Sequence, residues 1–86
     1  HPLYPRALYK LGWTYYRQGR FELAIAKLTQ ARRALAAADN QDAVVYSHLG
    51  DAYLKAGIKD KSLSAFKRSY ELKKDPIVRR KIDSIK

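Results

Sequence analysis

The chain contains no cysteine. Disulfides and thiolate zinc sites are therefore excluded, and the redox compartment stays open. No apolar run approaches the ~18–20 residues that a bilayer-spanning helix needs, and no signal-peptide pattern is visible. Acidic side chains are scarce: eight Asp and Glu stand against eighteen Lys and Arg, for a formal charge of +10. The imbalance is spread along the chain, +4 over residues 1–42 and +6 over residues 43–86. Such a charge favours solubility and draws the protein to anions without dictating a fold, so nucleic acid, anionic lipid and acidic peptides are all admissible partners. No segment alternates polar and apolar residues over a strand's length, which leaves an all-α chain.

Catalytic constellations are lacking too. His48 and Asp51 lie three apart and share a helix face, but no third ligand is spaced with them, so no metal site is expected. Ser47 beside His48 is not a triad, because adjacent helical residues point in different directions. None of the four glycines belongs to a phosphate-binding loop. No catalytic residue, cofactor or metal follows, and 86 residues are short for an enzyme with an enclosed pocket. The chain begins His1-Pro2 rather than with methionine, which suggests an excised piece of a longer protein.

What is present is a repeat. Leu11-Gly12-Trp13-Thr14-Tyr15 returns 38 positions later as Leu49-Gly50-Asp51-Ala52-Tyr53. Leu8 and Tyr46 precede the two copies at the same distance, and Gly19 and Gly57, Ala24 and Ser62, and Leu28 and Phe66 follow in register. A register this long, held through matching chemistry, is an internal repeat.

Helical spacing places five helices on it. Leu8, Leu11, Gly12 and Tyr15 form the core stripe of a first helix from about Pro5 to Arg17, with Gly19 as its left-handed cap. Phe21, Ala24, Ile25, Leu28, Ala31 and Leu35 line a second, to about Ala38. A third runs from about Asp42 to Ala56 on Tyr46, Leu49, Gly50 and Tyr53, closed by Gly57. The fourth, about Lys59 to Lys73, carries Leu63, Phe66, Ser69, Tyr70 and Leu72. Asp75 and Pro76 restart a fifth, with Val78, Ile82 and Ile85 inward and Arg79, Arg80 and Lys81 on a solvated face. Gly12 and Gly50 are expected to let paired helices approach closely, with Ala24 and Ser62 as their small partners.

These residues resemble the tetratricopeptide repeat, whose pattern W-x2-L-G-x2-Y…A-x3-F…P is met by Leu8, Leu11, Gly12, Tyr15, Ala24 and Leu28. It is met again by Tyr46, Leu49, Gly50, Tyr53, Ser62 and Phe66, with Pro76 near the end. Neither copy has the leading Trp, and the first lacks the closing proline. Its span exceeds the usual ~34 residues by about one helical turn, assigned to the Ala-rich second helix. The resemblance implies antiparallel helix-turn-helix repeats, an α-solenoid fragment with one repeat over residues 5–42, a second over 43–75 and a capping helix over 76–86. About three repeats are ordinarily needed for stability. Two repeats with no N-terminal cap therefore read as the end of a longer array, or as a homo-oligomer formed through the uncapped N-terminal face.

In this family the first helix of each repeat lines a concave groove for peptides. The matching positions are Arg6, Tyr9, Lys10, Trp13, Tyr16 and Arg17 in the first repeat, and Val44, Ser47, His48, Asp51, Leu54 and Lys55 in the second. The aromatics can pack on a neighbouring helix or stand exposed as a contact surface. An aromatic and basic groove favours acidic, or mixed apolar and acidic, protein segments. The family's two-carboxylate clamp is not expected, since Trp13 and His48 occupy its asparagine positions. The expected function is protein–protein interaction. The alternative is a basic module for nucleic acid or an anionic membrane surface, with Trp and Tyr for stacking and Arg79-Arg80-Lys81 towards lipid.

Overall fold

A computed structural model describes residues 4–37 and 40–85, so the first proline and the end of the second helix lie outside the described residues. Five helices follow one another: α1 (Tyr4–Arg17), α2 (Phe21–Ala37), α3 (Ala43–Lys55), α4 (Lys59–Leu72) and α5 (Pro76–Ile85). No strand occurs among the described residues. Helix α2 has 17 residues against 14 in its counterpart α4.

The helix ends follow from local chemistry. Gly19 and Gly57 adopt φ of +79° and +81°, a left-handed turn that costs other residues roughly 1–2 kcal/mol. Around each, the chain closes two reversed bonds. The Arg20 N–H donates to the Tyr15 carbonyl at 2.9 Å and that of Gly19 to Tyr16 at 3.0 Å. Ile58 and Gly57 repeat the pair on Tyr53 and Leu54 at 2.9 and 3.1 Å. This geometry satisfies carbonyls a helix end would leave bare, and it turns the chain into a tight hairpin. At helix starts, the Val44 N–H donates to Asp42 Oδ1 at 2.8 Å and the Ile77 N–H to Asp75 Oδ1 at 2.9 Å.

Helices α1 and α2 form one antiparallel hairpin, α3 and α4 a second; α2 packs on α3, and α5 on α4. One core gathers Leu8, Ala24, Leu28, Ala31, Val45, Leu49, Ala52 and Ala65, and a smaller one joins Phe66 to Val78 and Ile82. The hairpins close on their glycines. A methyl group on Gly12 would lie 2.8 Å from Leu28 Cγ and 3.2 Å from the Leu28 backbone nitrogen. On Gly50 it would lie 2.6 Å from two ring carbons of Phe66. The residue directly opposite each glycine is thus the large one, four positions beyond the expected small partner. Ser62 contributes differently: its hydroxyl donates to the Gly50 carbonyl at 2.7 Å, as Ser69 does to Ala43. These two buried hydroxyls tie α4 to α3 where the first repeat has only Ala24 and Ala31.

Two expected core residues lie outside. Leu11 is 39% exposed while its counterpart Leu49 is 2% exposed, and Leu72 is 39% exposed. The reason for Leu11 is positional. Val45, Leu49 and Ala52 of α3 are buried in the core that α2 shares, whereas among the described residues no helix packs in the same way on the equivalent Ala7, Leu11 and Thr14 of α1.

Gly50→Ala forces the fully buried Phe66 ring to move. It should cost about 1–3 kcal/mol, with Tm falling roughly 4–8 °C per kcal/mol in a domain this size. Thermal melting by circular dichroism measures it, and an unchanged Tm would contradict the close crossing.

Candidate functional site

Because each hairpin reverses direction, α1, α3 and α5 come to lie on one side. The expected groove residues of α1 and α3 meet there. Helices α1 and α3 touch only sparingly along their backbones, and aromatic rings bridge the gap. The His48 imidazole lies 3.9 Å from the Trp13 ring and 5.3 Å from that of Tyr9, both stacked. Trp13 stacks in turn on Tyr16 at 4.6 Å, and Phe21 meets Tyr16 edge-on at 5.6 Å. Offset-stacked pairs contribute about 0.5–1.5 kcal/mol each beyond the area they bury. Tyr9, Trp13, Tyr16 and His48 are all half-buried and join the repeats, with Trp13 stacked on both His48 and Tyr16.

The polar residues divide into two groups. Arg6, Lys10, Arg17 and Lys55 are exposed and have no acidic partner among the described residues. Asp51, by contrast, is engaged. Lys81 Nζ of α5 donates to its two carboxylate oxygens at 3.0 and 3.2 Å, and the Asp51 side chain is only 16% exposed. Lys81 also stands 5.5 Å over the Phe66 ring. Its expected place on a solvated face beside Arg79 and Arg80 is thereby corrected. Two residues on from Arg79, about 200° round the helix, it faces inward to the acid that α3 presents. A helical wheel of α5 alone cannot show this, because the attracting charge lies thirty residues away. Ser47 is half-buried and lines, with Val44 and His48, a hollow of about 210 Å³ against the start of α5. Val44 and Leu54 are exposed.

Burial alters the titration of the ring cluster. Desolvation pushes His48 below its ordinary 6.5; Asp51 and Asp42 pull it back up, and Lys81 adds to the depression. Its Nδ1 is buried with no hydrogen-bond partner. Tyr9 and Tyr16 are raised, first by burial and then by Asp42 and Asp51 respectively. Among the described residues no three His, Asp or Glu side chains gather as a metal would need. The arrangement sets a stack of aromatic rings beside exposed cations.

Stacked antiparallel hairpins whose first helices share a face define a helical-repeat protein of the α-solenoid class. The tetratricopeptide repeat family model matches residues 5–40, and a second model of the same repeat matches residues 43–76. The chain belongs to the tetratricopeptide repeat family, with two repeats. Such repeats are generally protein–protein interaction modules and non-enzymatic scaffolds. No curated protein matches the chain. No described helix is long and apolar enough to cross a membrane.

The depressed His48 gives a pH dependence with a definite sign. The unfolded chain takes up a proton near 6.5 and the folded chain only lower, so the unfolded state binds more protons between the two values. Stability is complete above about 6.5 and is lost as pH falls through the folded value. Tm should therefore decline between about pH 7.5 and 5.5, and His48→Phe, which keeps a ring in the stack, should flatten the decline. An equal decline in the variant would place the titrating group elsewhere.

Proposed function

We propose that the chain binds an acidic, or mixed apolar and acidic, segment of a partner protein along the face formed by α1, α3 and α5. The observation that carries this reading is the ring stack crossing both repeats, Tyr9, His48, Trp13 and Tyr16, bordered by Arg6, Lys10, Arg17 and Lys55. Half-buried rings are already held in place by their stacking, so they offer contact area at little further entropy cost. The unpaired cations supply charge-assisted bonds to carboxylates. The carboxylate of Asp51, the acid lodged among these rings, is occupied by Lys81, which leaves the face net positive. A further helical layer would seat on the open side of α1, at Tyr4, Ala7, Leu11 and Thr14, where the second repeat has its own neighbour.

The test leaves the stack intact. Arg6→Glu with Lys10→Glu reverses two exposed charges that make no ion pair among the described residues, and Glu near the start of α1 suits the helix dipole. Affinity capture from the source lysate should lose its bound protein, or retain it at least ten-fold more weakly, while Tm stays within a few degrees of wild type. Capture at undiminished strength by the folded variant would refute the groove.

A further inference from the structure

Helix α3 has a second working side. At 100° per residue, Tyr46, Leu49 and Tyr53 point away from the direction of His48 and Asp51. They form one wall of an open cleft of about 550 Å³, which α2 and α4 complete. That volume falls within the ~300–1,000 Å³ typical of small-molecule sites. Leu49 and Ala65 supply a buried apolar base, and the two half-buried tyrosines stand beside it.

Two helices distant in sequence deliver cations around this cleft: Arg32 from α2, and Lys61, Lys67 and Arg68 from α4. Glu71 is the one carboxylate in the lining, and it reaches Arg68 alone, at 3.7 Å between exposed groups. Arg32, Lys61 and Lys67 have no acidic partner among the described residues. Arg68 is held in place: its Nη2 donates to Gln41 Oε1 at 2.6 Å, and the Tyr46 hydroxyl donates to the same oxygen at 3.3 Å. Lys61 leans over the Tyr53 ring at 5.9 Å. Four cations gathered around one concavity repel one another, and an anion seated among them removes that repulsion.

We propose that this cleft is a binding site for a compact polyphosphate anion, separate from the peptide face. Charge and shape select the class together. Three uncompensated cations around a small volume match a ligand carrying several negative charges within a few ångströms. An acidic peptide spreads its carboxylates along an extended backbone. Nucleic acid would ask for cations running on along a strand, with rings presented for stacking, whereas here they border a single cleft and Tyr46 has its hydroxyl tied to Gln41.

The probe is inorganic tripolyphosphate, titrated calorimetrically and by NMR into the full chain at low salt. The expected result is saturable one-to-one binding that shifts the Tyr46 and Tyr53 ring resonances and leaves the Trp13 indole unmoved. Arg32→Gln with Lys61→Gln, two side chains that make no hydrogen bond among the described residues, should weaken binding about ten-fold or more. Lys59→Gln with Lys74→Gln removes the same charge elsewhere and should leave binding within about two-fold. Non-saturable binding, equal loss in both variants, or shifts centred on Trp13 would each overturn the proposal. So would a single-stranded oligonucleotide that feels the cleft variant when tripolyphosphate does not. The peptide face is tested by its own variant, the reversal of Arg6 and Lys10.

Discussion

Everything in this small protein hangs on how closely two helices approach at a glycine. At Gly12 and at Gly50 the opposing side chains of Leu28 and Phe66 come so close that there is no room for even a methyl group. A large residue pressed on bare backbone fixes both the separation and the rotation of each hairpin. With the hairpins so fixed, the left-handed turns at Gly19 and Gly57 set where each second helix starts. The first helices of both repeats are then brought onto one side, and a functional face becomes possible.

That face is also a joint. Backbone contact between α1 and α3 is slight, so much of their union is aromatic: His48 of the second repeat rests against Trp13 and Tyr9 of the first. Asp51 and Lys81 extend the connection to α5. On the proposed function, affinity and inter-repeat geometry are consequently coupled. A ligand lying across the rings touches both repeats at once, and any change that loosens the stack alters the shape offered to the ligand. The burial that lowers the His48 pKa belongs to the same coupling, because a proton on that ring would place charge within the joint.

Much of the architecture was legible because it depends on local chemistry repeated in register. Gly19 and Gly57 announced their turns, Asp75 and Pro76 the restart of the last helix, and the Leu-Gly-x-x-Tyr frame the two hairpins and their family. What escaped was set by neighbours distant in sequence. Leu11 and Leu49 occupy one place in the repeat, yet among the described residues only Leu49 has a preceding helix to bury against. Ala52 is fully buried where its counterpart Thr14 is exposed, for the same reason. Lys81 turned inward to an acid thirty positions away, and Arg32 joined a cleft with residues of α4 through the bend between repeats. Of the two arrangements open to the groove aromatics, packing on a neighbouring helix describes Trp13, which rests on His48 of α3.

Trp13 is the single tryptophan of the chain, which makes the central claim directly measurable. Its emission should respond when an acidic peptide carrying Leu and Glu residues is titrated into the protein, because the indole is half-exposed beside its stacked partners. A saturable change in Trp13 fluorescence, with a midpoint equal to the calorimetric Kd, is the predicted result. Calorimetric binding of the same peptide with Trp13 emission unaltered throughout would place the ligand elsewhere and contradict the account.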